Sequence, residues 1–223
     1  MKKQLFLAAF LIIGLNQLSA QEKTKASLDN YASNSAPTQF WDKTSLEVSY
    51  GFAMPFSPAD GLEVADYNSF VNFQLGANYQ FNNFWGARLT YAYQNFENKN
   101  NSNYGVDYNK FMAEATFNII SAVNPSAIYT QEKKFEVIAH AGIGGTFAKS
   151  KSTKVKEEIY NAQIGLKPTY EISRKVNIFA DVTYVFNLHQ DLAYSGASAK
   201  IDGGNVSGSY LNTMIGLQVK LGR

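Results

Sequence analysis

The chain has 223 residues, with 20 Lys+Arg against 18 Asp+Glu, no cysteine and two histidines. The missing cysteine excludes disulfides, thiolate metal sites, thiol catalysis and a lipidated cysteine, two histidines exclude a multi-histidine metal centre, and the small net charge lacks the basic surplus of a nucleic-acid footprint. Charged residues are only 17% of the chain and aromatics 14%, against ~25% charged in soluble domains, which suits a protein whose outer surface does not face water.

Lys2 and Lys3 open the chain, residues 5–15 are an apolar run, and Leu18-Ser19-Ala20 ends small before Gln21-Glu22-Lys23 turns polar. This three-part order predicts a secretory signal peptide over 1–20, cleaved after Ala20. The run is about half the ~20 residues that a helix needs to cross a bilayer. Without Lys2 and Lys3 the net charge is close to zero. Residues 21–42 are polar and aperiodic and are expected as a loose N-terminal segment, with the folded domain over 43–223.

From Lys43 onward the hydrophobic period is two, the period of a half-buried strand. Apolar residues alternate with polar or small ones over 46–52, 71–81, 85–93, 111–119, 135–143, 162–172, 176–186 and 211–221. Eight runs of about ten residues match tilted membrane-crossing strands. Pro168 lacks an N–H and predicts a bulge or strand end, and Gly144-Gly145 a second bulge. Long polar connections are expected over 54–67, 97–108, 148–158 and 187–208. Tight turns are expected at Asn82-Asn83 and Ser173-Arg174-Lys175, and 120–134 is longer than that alternation asks for.

Along the apolar face the aromatics sort by height. Tyr79, Phe81, Trp85, Phe117, Phe135 and Tyr170 lie near the tight-turn ends, and Tyr50, Phe52, Phe73, Tyr91, Tyr93, Phe111, Tyr184 and Phe186 near the other ends. Between them lies an aliphatic band that includes Leu75, Leu89, Ala113, Ala141, Ile164 and Ile215. Two aromatic belts around such a band match the two headgroup boundaries of a bilayer. The polar face then points into a lumen narrow enough to be filled by side chains, where charges need partners. Counting residues up each strand places Glu114, His140, Lys167 and Asp181 at one height, with Arg88 near it. The expected networks are Arg88–Glu114–His140 and Lys167–Asp181, with Glu47, Lys110, Glu136, Glu171 and Lys220 nearby.

No catalytic constellation is expected. His140 lies mid-strand on the inward face and is read as a satisfied lumen histidine, and His189, with Asp191 and Ser195 close in sequence, as part of a solvated loop. The glycine-rich stretch after His140 has no helix behind it, so it is not a phosphate-binding loop. Lys149, Lys151, Lys154 and Lys156 form a basic cluster in the third long connection, which could meet lipopolysaccharide head groups. The second, 97–108, is Asn-rich and a candidate recognition surface. The first is acidic, with Asp60, Glu63 and Asp66.

These features together resemble the small outer-membrane β-barrels, similar to the N-terminal barrel of OmpA-type proteins. Residues 216–221 resemble the terminal signal read by barrel-assembly machinery, although Leu221 stands where that signal carries an aromatic, and the peptidoglycan-binding domain of OmpA-type proteins is not expected here. The expected fold is an all-β, eight-stranded, antiparallel, up-and-down transmembrane barrel. The resemblance implies a monomer in the outer membrane of a Gram-negative envelope, in contact with lipid and lipopolysaccharide, without cofactor, metal or nucleic acid. A plugged structural or surface-contact barrel is the first functional expectation, a narrow pore or small-ligand conduit the second, and a lipid-A-modifying enzyme the third.

Overall fold

The computed structural model describes residues 40–57, 64–123, 134–199 and 206–222. The expected signal peptide, residues 21–39 of the N-terminal segment, and Asp60 and Glu63 lie outside them. Phe40–Lys43 form a single 3-10 turn, and the strands follow as β1 Thr44–Ser57, β2 Ser69–Gln80, β3 Trp85–Asn98, β4 Asn101–Asn118, β5 Phe135–Ser150, β6 Lys156–Ser173, β7 Val176–Asn187 and β8 Gly208–Lys220. A short helix, α1 (Ile119–Val123), leaves β4. Every strand pairs antiparallel with its sequence neighbour and β1 closes on β8, so the sheet is a closed eight-stranded barrel without edges.

The burial alternation is inverted relative to a soluble protein. Apolar side chains point outward, with Leu89 63%, Ile143 71% and Ile215 65% exposed, while Arg88, Lys110, Lys167 and Asp181 are about 1% exposed on the inward phase. Such a wall is stable only against hydrocarbon, and only a closed barrel leaves no unpaired strand there. Both expected belts are present as ring contacts: Trp85 on Phe117 at 4.7 Å and Phe40 on Tyr79 at 5.2 Å at the end bearing the termini, and Tyr91 on Phe111 at 4.9 Å and Tyr184 on Phe186 at 4.5 Å towards the other end.

Four local expectations are corrected. Residues 97–108 are not a loop, because β3 and β4 continue through them and leave only residues 99–100 as the turn. Their inward residues Phe96, Val106 and Tyr108 are fully buried, and that burial extends both strands. The connection read as 148–158 shrinks to 151–155. Pro168 makes neither a bulge nor a strand end: the β6–β7 ladder skips Lys167 and Pro168 and resumes in the same register at Thr169, as loss of one donor requires. Gly144 and Gly145 pair without a shift on both sides. The turn at Asn82-Asn83 stands as expected, with Asn82 Oδ1 accepting the Phe84 and Trp85 N–H groups.

Candidate functional site

The lumen is the one place among the described residues where the fold gathers buried charge, and it is filled in three tiers. At mid-height Arg88 (β3) is the hub. Its Nε donates to Glu47 Oε1 at 2.6 Å, and its Nη1 donates to Asp181 Oδ2 at 2.9 Å and lies 3.7 Å from Glu114 Oε2. Lys167 Nζ donates to Glu47 Oε2 at 2.8 Å, and Asn78 Nδ2 to the same oxygen at 3.0 Å. His140 bridges two carboxylates, Nδ1 to Glu114 Oε2 at 2.6 Å and Nε2 to Asp181 Oδ1 at 3.1 Å, and Thr183 Oγ1 donates to Asp181 Oδ1 at 2.6 Å. The network thus ties β1, β2, β3, β4, β5, β6 and β7 together through the barrel axis.

Glycines make the room for it. Glu47 lies directly opposite Gly76, Glu114 opposite Gly142, and His140 opposite Gly165. A Cβ at any of the three would overlap the side chain it faces. These three glycines are therefore spacers for the ionic residues, set one strand away from each.

The sequence heights bring the right residues to one layer but join some of them differently. Arg88, Glu114 and His140 do form one cluster. Lys167 crosses to Glu47 instead of meeting Asp181, which is taken by Arg88 and His140. Glu47 is central rather than peripheral. Lys110 makes no ion pair among the described residues; its Nζ donates to Gln163 Oε1 at 3.0 Å and lies 5.3 Å from the centre of the Tyr210 ring, a cation–π contact strengthened by desolvation. Glu136, Glu171 and Lys220 lie lower, at the rim of the terminal end: Asn118 Nδ2 donates to Glu136 at 2.9 Å, and Lys220 Nζ to Glu171 at 2.5 Å. Glu136 and Lys220 border a polar vestibule of about 330 Å³ that ends upward at Lys167.

Above the ionic layer lies an apolar seal that the sequence reading missed. Phe96 packs on Tyr194 at 4.8 Å, Tyr108 at 5.1 Å and Tyr210 at 5.4 Å. Ala53, Tyr67, Val106, Ala148, Ile159, Val185 and Leu192 complete the cluster. Tyr194 and Leu192 come from the last connection, whose residues 188–199 fold into the barrel mouth. The Glu157 carboxylate accepts the Asp191 and Leu192 N–H groups, Ser150 Oγ donates to the Gly196 carbonyl at 2.8 Å, and the Tyr194 hydroxyl to the Ser209 carbonyl at 3.2 Å. The signal that could have found the seal was phase: Phe96, Tyr108 and Tyr210 are aromatics on the polar phase of their strands. His189 lies 3.3 Å from Asp191, both part-exposed, outside this seal.

The four lysines of the third connection separate. Lys151 is bound to Glu97, Lys154 is at the exposed tip with φ 62°, and Lys149 and Lys156 face each other on the outward wall. Asp66, in the first connection, pairs with Lys99 at 2.5 Å.

No family model matches the sequence, and no curated protein matches it. Among solved structures, Neisserial surface protein A aligns with a TM-score of 0.54 at 12% identity, covering 80% of this chain and 97% of that one. A major outer membrane protein of Thermus thermophilus gives 0.49 at 10% identity, over 79% and 98%. The attachment invasion locus protein Ail of Yersinia pestis gives 0.42 at 18% identity, over 79% and 99%. The fold of this chain is that of the small outer-membrane β-barrels.

Proposed function

We propose that this protein is a plugged outer-membrane barrel that serves the envelope as a structural and surface-contact element, not as a conduit. The observation that carries the reading is the double closure of the lumen, an ionic layer beneath an aromatic seal. A permeating ion would have to part Arg88 from three carboxylates and displace Phe96, Tyr108, Tyr194 and Tyr210. Breaking such a buried pair costs ~3–5 kcal/mol, and eight strands enclose a space that side chains fill. Planar-bilayer recording tests it: no discrete conductance steps are expected from the folded protein, and sustained steps would favour the narrow-pore reading.

The same proposal places the chain in the outer membrane as a monomer, exported through cleavage after Ala20 and inserted by barrel-assembly machinery that engages β8. Lys149 and Lys156 supply its basic contact with lipopolysaccharide or other lipid head groups. Fractionation of envelopes tests the location, and N-terminal sequencing of the mature protein the cleavage. The proposal assigns no catalytic step. Both ring nitrogens of His140 are occupied by carboxylates below the seal, where neither a lipid nor a peptide arrives.

A further inference from the structure

We propose that the outward wall holds a membrane lipid whose headgroup, over β4 to β6, carries both a phosphate and an ammonium, with an acyl chain in a groove below it that runs over β2 to β5. The inference rests on the reading that the wall faces lipid. A groove of about 650 Å³ crosses the aliphatic band. Ala113 forms its floor between Leu89 and Ile143, its partners on either side, which stand 63% and 71% exposed. Gly145 continues the floor upward between Phe111 and Tyr160. Its depth between the two aromatic belts makes hydrocarbon the surrounding medium, so an acyl chain fits it by size and polarity.

The next outward positions above Phe111 and Gly145 are Asn109 and Phe147, which line a second concavity of about 400 Å³ together with Lys149, Lys156 and Glu158. Lys149 and Lys156 are direct cross-strand partners, both exposed. Like charges placed directly opposite each other destabilise a sheet, and neither lysine forms an ion pair among the described residues. A phosphate between them would remove that repulsion. The pocket also carries negative charge. Glu158 is exposed two residues along the same face from Lys156, Asp107 lies across from Lys149 with Oδ1 accepting the Tyr93 hydroxyl, and Glu157 is held by the last connection. A purely anionic headgroup would satisfy the lysines and meet Glu158 unfavourably. A phosphoethanolamine headgroup satisfies both signs, with phosphate on the lysines and ammonium on Glu158.

Native mass spectrometry of the detergent-folded barrel tests this with phosphatidylethanolamine and phosphatidylglycerol of identical chains. Phosphatidylethanolamine should be retained in preference. The Lys149→Gln, Lys156→Gln double variant should lower its retention by about fivefold or more, the factor that ~1 kcal/mol of lost headgroup attraction sets. Glu158→Gln should shift preference to phosphatidylglycerol. Gly145→Phe should abolish retention by filling the groove, because a Cβ there meets only the Ile159 carbonyl at 3.7 Å, an ordinary contact. Equal retention of the two lipids, or retention unchanged by Gly145→Phe, overturns the site. A boiling-dependent gel shift monitors the barrel separately: its absence in the unsubstituted protein would overturn the membrane-spanning reading itself.

Discussion

Lys167 and Asp181 lie at one height on adjacent strands, yet the lysine reaches across the lumen to Glu47 Oε2 at 2.8 Å and leaves the aspartate to Arg88 and His140. Glu47 therefore carries two cations, and the plug is a single network, not two separate pairs. Removing one partner of a buried ion pair strands the other, at ~3–5 kcal/mol. Lys167→Met and Glu47→Leu should each lower stability clearly in urea unfolding, and the double variant should recover part of the loss. The coupling energy of Lys167 with Glu47 should exceed that of Lys167 with Asp181 in parallel double-mutant cycles. The opposite order would show that Lys167 pairs along the sheet after all.

Gly165 holds the space that the His140 ring occupies. Gly165→Ala should lower stability by ~1–3 kcal/mol through overpacking, and His140→Ala in the same background should relieve part of that loss. Gly145→Ala, on the outward face where a Cβ meets no side chain, should shift stability by less than ~0.5 kcal/mol. Equal losses at Gly165 and Gly145 would mean that backbone freedom, not space for the histidine, is what the glycine supplies.

Depth should set the cost of charge on the outer wall. Leu166 pairs with Ala139 in the aliphatic band, and Tyr170 pairs with Phe135 in the terminal-end belt. Both are 49% exposed, so exposure alone does not distinguish them. Leu166→Arg should cost ~2–4 kcal/mol and Tyr170→Arg ~0–1 kcal/mol from its charge. Folding efficiency into lipid vesicles reads the difference. Similar behaviour at the two positions would mean that the belts do not mark the bilayer boundaries.

The strands and faces were legible because the alternation is set by one local rule, the period of two, and counting along it placed Glu114, His140, Lys167 and Asp181 in one layer. Their partners were not legible. A contact across the lumen, such as Lys167 with Glu47, links strands 120 residues apart in sequence, and only the stagger of the closed barrel decides which side chains meet. The aromatic seal was hidden differently. The Asn-rich stretch between Phe96 and Tyr108 reads as loop by composition, so two aromatics on the inward phase were not continued into the strands that carry them. Tyr194 carries no periodic signal, because it enters the lumen from a connection.

The last connection and the ionic layer should act as two barriers in series. Glu157 holds the connection by accepting two backbone N–H groups, from Asp191 and Leu192, and hydrogen bonds to a charged group contribute ~1.5–3 kcal/mol. Glu157→Ala should therefore raise the population in which residues 188–199 leave the barrel mouth, and limited proteolysis should cut there faster, since cleavage follows the free energy of local opening. Tyr194→Ala should act in the same direction by removing a buried ring from the Phe96 cluster. Neither variant should conduct in planar bilayers, because Arg88 remains locked to Glu47 and Asp181 beneath the seal. Conductance from Glu157→Ala alone would show that the ionic layer does not close the lumen, and that the seal by itself separates a plug from a pore.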